Sequence, residues 1–151
     1  MKRIASWLGL VLIGLIILGV TDASAKKKMK KEAVVWPSEN IKWMEMKGGP
    51  PGGMVASLWG NMGKGAYGVL VKLPAGMNNP LHTHSADSKL VIISGSFWYA
   101  PEGGEKKVLG PGSYLMVPGG LKHSSGSDSE CLAFQMGSGK WDMKAVKAKK
   151  M

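Results

Sequence analysis

The chain has 151 residues, with 20 Lys+Arg against 10 Asp+Glu and a formal net charge of +10. Lys26, Lys27, Lys28, Lys30 and Lys31 stand near one end, Lys140, Lys144, Lys147, Lys149 and Lys150 near the other, and the stretch between is close to neutral. Terminal charge without interleaved aromatics or a nucleic-acid motif reads as solvated ends and argues against nucleic acid as a partner. A single cysteine excludes an intramolecular disulfide, so packing must supply stability.

Taken in order, the chain opens with Lys2 and Arg3, an apolar or glycine run from Leu8 to Val20, and Ala23-Ser24-Ala25. This is the pattern of a Sec-type signal peptide over 1–25, cleaved after Ala25, which implies a periplasmic or secreted protein. The run is shorter than the roughly 20 residues of a membrane span, so no stable span is expected after cleavage. An uncleaved anchor is the alternative. No cysteine follows the run, which argues against a lipoprotein.

Residues 26–49 form a basic segment and a lead in which Val34-Val35-Trp36 and Ile41-Lys42-Trp43-Met44 read as short edge strands. Gly48-Gly49-Pro50-Pro51-Gly52-Gly53 is a loop, because glycine and proline at that density interrupt any regular element. Beyond it strands alternate with turns. Apolar or β-branched runs at Met54–Trp59, Ala66–Leu73, Lys89–Ile93, Phe97–Tyr99, Lys106–Leu109, Ser113–Val117 and Cys131–Met136 are separated by Gly- and Pro-containing turns. No segment has a convincing 3.6-residue period. The expectation is an all-β, single-domain body over 50–137, a sandwich or barrel. Residues 138–151 are a basic tail with a weak helical pattern over Lys140–Lys149, and Trp141 offers a means of docking it on the body.

Cys131 reads as a small buried strand residue, with a place beside a metal as the alternative. Eleven methionines are mostly core filling, although Met44 and Met46, two apart, also suit a soft metal such as copper. The three histidines fall in two stretches, Gly76–His84 and Pro111–His123. His82 and His84 are two apart, so on a strand both rings leave one face, within reach of one metal ion.

These two stretches resemble the paired motifs of the cupin superfamily. Its first motif runs G-x5-H-x-H-x3,4-E-x6-G, matched by Gly76, His82, His84 and Gly95. Its second runs P-G-x5-P-x-G-x2-H-x3-N, matched by Pro111, Gly112, Pro118, Gly120 and His123. Two positions depart: the glutamate falls on Ser88, or Lys89 at the longer spacing, and the asparagine on Ser127.

The resemblance implies a double-stranded β-helix, the cupin jelly-roll barrel. It implies a divalent transition metal (Fe, Zn, Mn, Ni or Cu) held by His82, His84 and His123. Without a carboxylate ligand the metal keeps its full charge and open positions, which favours a small anionic ligand. The implied function is then dioxygenase-like or isomerase/lyase-type chemistry, or non-catalytic ligand binding or sensing, with or without a metal. Asp87, carried on a bulge, is a candidate ligand or second-shell acceptor, with Ser88 beside it. Trp98, Tyr99, Tyr114, Met116 and Gln135 are candidates to line the lumen, with alternation leaving open which of each neighbouring pair faces inward. Cupins of this size also pair, so a homodimer is expected, with the Trp36–Trp43 lead available to add a strand to a partner.

Overall fold

The structure, a computed structural model, describes residues 32–146. The expected leader, the lysine run up to Lys31 and the last five residues lie outside them.

Eleven strands follow in order: β1 (Met44–Glu45), β2 (Met54–Gly60), β3 (Tyr67–Leu73), β4 (Met77–Thr83), β5 (Ser88–Ser94), β6 (Phe97–Pro101), β7 (Lys107–Leu109), β8 (Tyr114–Val117), β9 (His123–Ser127), β10 (Cys131–Gly137) and β11 (Lys144–Ala145). They form two sheets, ordered β1-β2-β3-β10-β5-β8 and β11-β4-β9-β6-β7. Every pairing is antiparallel. This is the jelly-roll arrangement, all-β as expected.

Period-two alternation builds the core between the sheets. In β10, Cys131, Ala133, Gln135 and Gly137 are buried while Leu132, Phe134 and Met136 are only half-buried. In β3 the inward set is Tyr67, Val69, Val71 and Leu73, and in β5 it is Ser88, Leu90 and Ile92. Met77 from β4 and Phe97 from β6 close the cluster from the second sheet. Each large apolar side chain buried here contributes about 1.5–3 kcal/mol. Cys131 is fully buried in this cluster and does not line the lumen, as its reading as a small hydrophobe required.

Several details depart from the sequence reading. Val34–Trp36 forms no strand; Trp36 instead donates its indole N–H to the Leu58 carbonyl at 2.9 Å. Met44 and Met46 do not form a pair of sulfur ligands. The strand ends at Glu45, and Met46 turns inward to bond the Gly53 carbonyl, leaving Met44 exposed and Met46 buried. The C-terminal tail is not helical in its described part, because Lys144 and Ala145 pair with Thr83 and His82 of β4. The paired strands therefore reach beyond 50–137 at both ends, through β1 and β11. His123–Ser127, which the sequence left without an assigned element, is a central strand. Among the described residues no helix is long and apolar enough to cross a membrane.

Candidate metal centre

Strands β4 and β9 carry the three histidines. His82 and His123 are direct cross-strand partners, and His84 lies one residue past the end of β4. The ring centroids are separated by 4.2 Å for His82–His123, 5.0 Å for His82–His84 and 5.3 Å for His84–His123. One ring nitrogen from each lies within 4.8 Å of the others. A register shift between Asn79 and His82 sets this geometry: β4 bulges at Pro80-Leu81, where a proline costs the ladder no N–H.

Hydrogen bonds decide which nitrogen faces the lumen. His82 Nδ1 lies 2.7 Å from the Pro80 carbonyl, His123 Nδ1 3.0 Å from the Leu121 carbonyl, and His84 Nδ1 2.5 Å from the Asp142 carbonyl. A carbonyl can only accept, so each Nδ1 carries the proton and each neutral ring is left with its lone pair on Nε2. Burial pushes the His123 imidazole down to about 4, opposed by its Leu121 bond and reinforced by the neighbouring rings; burial likewise lowers His82. Both rings are thus held neutral at physiological pH, the form that ligates metal.

This donor set fits a divalent transition metal. Each of the three imidazoles is anchored through its far nitrogen, Nδ1, which is the usual support of a metal-ligating histidine.

Around the histidines lies a cavity of about 60 Å³. One water needs roughly 10–15 Å³ on this measure, so there is room for an ion and a ligand of a few heavy atoms. Of the residues singled out from sequence, Ser88, Tyr99 and Gln135 line it. Gln135 donates to Ser88 Oγ at 3.0 Å and to the Tyr67 hydroxyl at 3.3 Å. The Tyr99 ring stands 5.3 Å from that of His123, and burial raises its hydroxyl pKa, so it remains a protonated donor.

The other candidates face away from this cavity. Asp87 is exposed and accepts the Gly119 N–H at 2.9 Å, tying the β4–β5 and β8–β9 connections together. It precedes inward-facing Ser88 by one residue, and no bulge turns it in. Tyr114 and Met116 are 61% and 45% exposed because Leu115 and Val117 take the inward positions of β8. Trp98 packs on Gly126 outside the lumen, with Lys106 Nζ 4.8 Å from its ring.

Sequence reasoning missed Asn79, Ser125, Trp141 and Met143 as lining residues. Asn79 and Ser125 face each other across the β4–β9 pairing, joined by a 3.3 Å side-chain bond. Trp141 and Met143 come from the C-terminal tail; the isolated tryptophan in a lysine-rich segment was the signal for them. Ser127, at the asparagine position of the resemblance, is fully buried and donates to the Ser96 carbonyl at 2.9 Å, with the Ser129 carbonyl also in contact. It pins the β5–β6 turn and lies outside the cavity lining.

A jelly roll with three histidines converging in its lumen defines a cupin. The chain belongs to the family described as Domain of unknown function (DUF4437), which matches residues 21–144. Solved structures share the fold. The polyketide cyclase RemF from Streptomyces resistomycificus superposes with a TM-score of 0.61 at 16% identity, over 81% of this chain and 88% of its own. An RmlC-like cupin from Ralstonia eutropha gives 0.61 at 20%, over 79% and 78%. Dimethylsulfoniopropionate lyase DddQ from Ruegeria pomeroyi gives 0.53 at 24%, over 66% and 56%. In sequence, 56 residues are 34% identical to DddQ, covering 37% of this chain and 28% of that protein. The chain thus matches under a third of this curated relative's length.

Proposed function

We propose that this protein is an exported cupin that holds one divalent transition metal ion on His82, His84 and His123 and binds a small anionic metabolite beside it. The observation that carries the reading is the set of three Nδ1–carbonyl hydrogen bonds, which leave three Nε2 lone pairs facing one small cavity. When bound, the metal supplies Lewis acidity toward an anionic oxygen donor. The chain's own residues do the rest. Tyr99 and Asn79 offer hydrogen bonds to such a ligand, while Phe97, Leu115, Trp141 and Met143 exclude water.

Elemental analysis of protein purified without an affinity tag tests this. About one metal ion per chain is expected, with loss in His82→Ala and His123→Ala. A native protein free of metal, with variants indistinguishable from it, would overturn the proposal.

A binding or sensing role is favoured over catalysis by one observation: among the described residues the cavity lining contains no carboxylate, lysine or cysteine to act as a general base, and burial holds the Tyr99 hydroxyl protonated. The catalytic alternative is a lyase-type reaction, for which dimethylsulfoniopropionate is the first compound to try because a relative is named for cleaving it. Turnover of that compound by the metal-loaded protein would displace the binding role. For the proposed leader, recovery from the cytoplasm with an intact N-terminus would end the export argument.

We also propose a homodimer. Val91, Ile93, Tyr114 and Met116 are exposed on β5 and β8, an apolar outer face at the sheet edge. Trp36 and Trp43 are engaged on their own body, so this face replaces the lead as the proposed contact. A monomeric mass in solution would refute it.

A further inference from the structure

The three histidines are not anchored alike. His82 and His123 each bond the carbonyl two residues earlier in their own chain segment, Pro80 and Leu121. For His84 the corresponding local acceptor is not used. Its Nδ1 bonds the carbonyl of Asp142, 58 positions away. Two ligands are therefore oriented by the motifs that contain them, and the third by the C-terminal segment.

That segment is fastened at several points. The Asp142 carboxylate accepts the Ser85 backbone N–H at 2.7 Å and the Ser85 hydroxyl at 2.6 Å. Ser85 immediately follows His84, so one residue grips the histidine with its carbonyl and the next residue with its side chain. Lys144 Nζ lies 3.6 Å from the same carboxylate. Trp141 N–H bonds the Met62 carbonyl at 2.9 Å and Val146 N–H the Leu81 carbonyl at 3.0 Å, with β11 paired to β4 between them. Trp141 and Met143 form part of the cavity wall, and the Trp141 ring centroid is 6.2 Å from that of His84. The backbone ladder is only two residues long, so the charge-assisted bonds of Asp142 are the strongest single tie.

We propose that Asp142 is a positioning residue for His84, and that the segment Trp141–Val146 is a working wall of the metal site. This rests on the metal-binding reading above. It assigns the third ligand's orientation to a residue outside both histidine motifs. His84 is then the ligand whose support can be removed while the other two stay anchored.

The test compares the native protein with Asp142→Ala, Asp142→Asn and Ser85→Ala. Cobalt(II) is the probe, with affinity measured by competition and coordination read from the visible spectrum. Loss of a hydrogen-bonded support commonly weakens metal binding by about 10- to 100-fold. Alanine keeps the backbone carbonyl that His84 bonds and removes only the carboxylate that fastens it to Ser85, so Asp142→Ala should fall toward the lower end of that range and change the spectrum. Asp142→Asn, which keeps an acceptor for the Ser85 N–H, should recover most of the affinity. Unchanged cobalt affinity and spectrum in Asp142→Ala would overturn the proposal, even if its Tm falls.

A second readout needs no metal. Long-range proton–nitrogen spectra should give a single Nδ1–H tautomer for His84 in the native protein and a tautomer mixture in Asp142→Ala. His82 and His123 should be unaltered. If the native protein takes up no cobalt, the metal reading fails on its own, and the His84 tautomer still decides the anchoring. An identical His84 tautomer in both proteins would sink it.

Discussion

His82 and His123 face each other directly across the β4–β9 pairing, their ring centroids 4.2 Å apart. They stand 41 positions apart in sequence, yet the register between the two strands makes them neighbours. The two halves of the motif are thus one structural unit. Formation of the site and pairing of β4 with β9 are the same event, which couples ligand geometry to folding.

One consequence is a dependence of stability on pH. The His123 imidazole titrates near 4 in the folded protein against about 6.5 when unfolded, and His82 is also lowered, both chiefly by burial. The unfolded chain therefore binds more protons across this interval, so stability rises with pH there. The full contribution is present above about 6.5 and is lost as pH falls toward 4. Chemical denaturation of the metal-free protein at pH 7.5, 6, 5 and 4 should give a falling midpoint. His123→Phe should flatten the profile. An unchanged profile in that variant would remove His123 as the source.

Cys131 should be inert in the native state. It is fully buried between Leu73 of β3 and the β5 side of the sheet, and burial raises its thiol to about 11. Thiolate is the reactive form, so both access and ionisation oppose modification. Iodoacetamide at pH 8 should leave the folded protein unlabelled and label it fully in denaturant, as read by intact mass. Rapid native labelling would place the sulfur in a different environment.

The two glycines of the first motif serve different ends. Gly76 (φ 73°) has no atom within 4 Å of where a Cβ would stand. At Gly95 (φ 72°) a Cβ would lie 1.8 Å from the Glu130 carbonyl oxygen. Alanine at Gly76 should cost only the left-handed backbone penalty, about 1–2 kcal/mol. Alanine at Gly95 must in addition displace the start of β10, the strand between β3 and β5, and should cost clearly more. Denaturation midpoints of the two variants check the order. Equal losses would mean that backbone conformation alone explains both positions.

Most of the body was legible because its strands follow simple signals: β-branched or aromatic runs bounded by glycine and proline. β9 escaped because His123-Ser124-Ser125-Gly126-Ser127 has no apolar alternation. Its inward residues are His123 and two serines, Ser125 and Ser127, and Gly126 leaves room for the Met77 carbonyl and the Trp98 ring. Pairing with β4 and β6, not propensity, makes it a strand. His82 and His84 were legible from their spacing, and His123 from the resemblance of its stretch to the second cupin motif. Their anchors were not, since the Asp142–His84 bond joins a lysine-rich tail to a motif by tertiary geometry. Inward and outward partners in β6 and β8 were also open, because Trp98-Tyr99 and Tyr114-Leu115-Met116 are apolar on both faces and only the packed sheets choose between them.

The departure from the cupin pattern at Ser88 yields the last prediction. Ser88 is buried, lines the histidine cavity and accepts from Gln135. Glutamate there would extend a carboxylate toward the metal position from the place where the resemblance puts one. Without metal that charge would be buried with Gln135 as its nearest donor, so the apo form of Ser88→Glu should be less stable than native, by a few kcal/mol or with the carboxyl kept protonated. With a metal held on the three histidines as proposed, the same carboxylate would serve as a fourth ligand and its burial would be compensated. Thermal unfolding with and without zinc should therefore show a larger metal-induced rise in Tm for Ser88→Glu than for the native protein, with tighter binding to match. Ser88→Gln, similar in size but uncharged, should show the smaller rise. If Glu and Gln respond alike, the side chain at this position does not reach the metal, and the serine reflects packing in the Gln135–Tyr67 network alone.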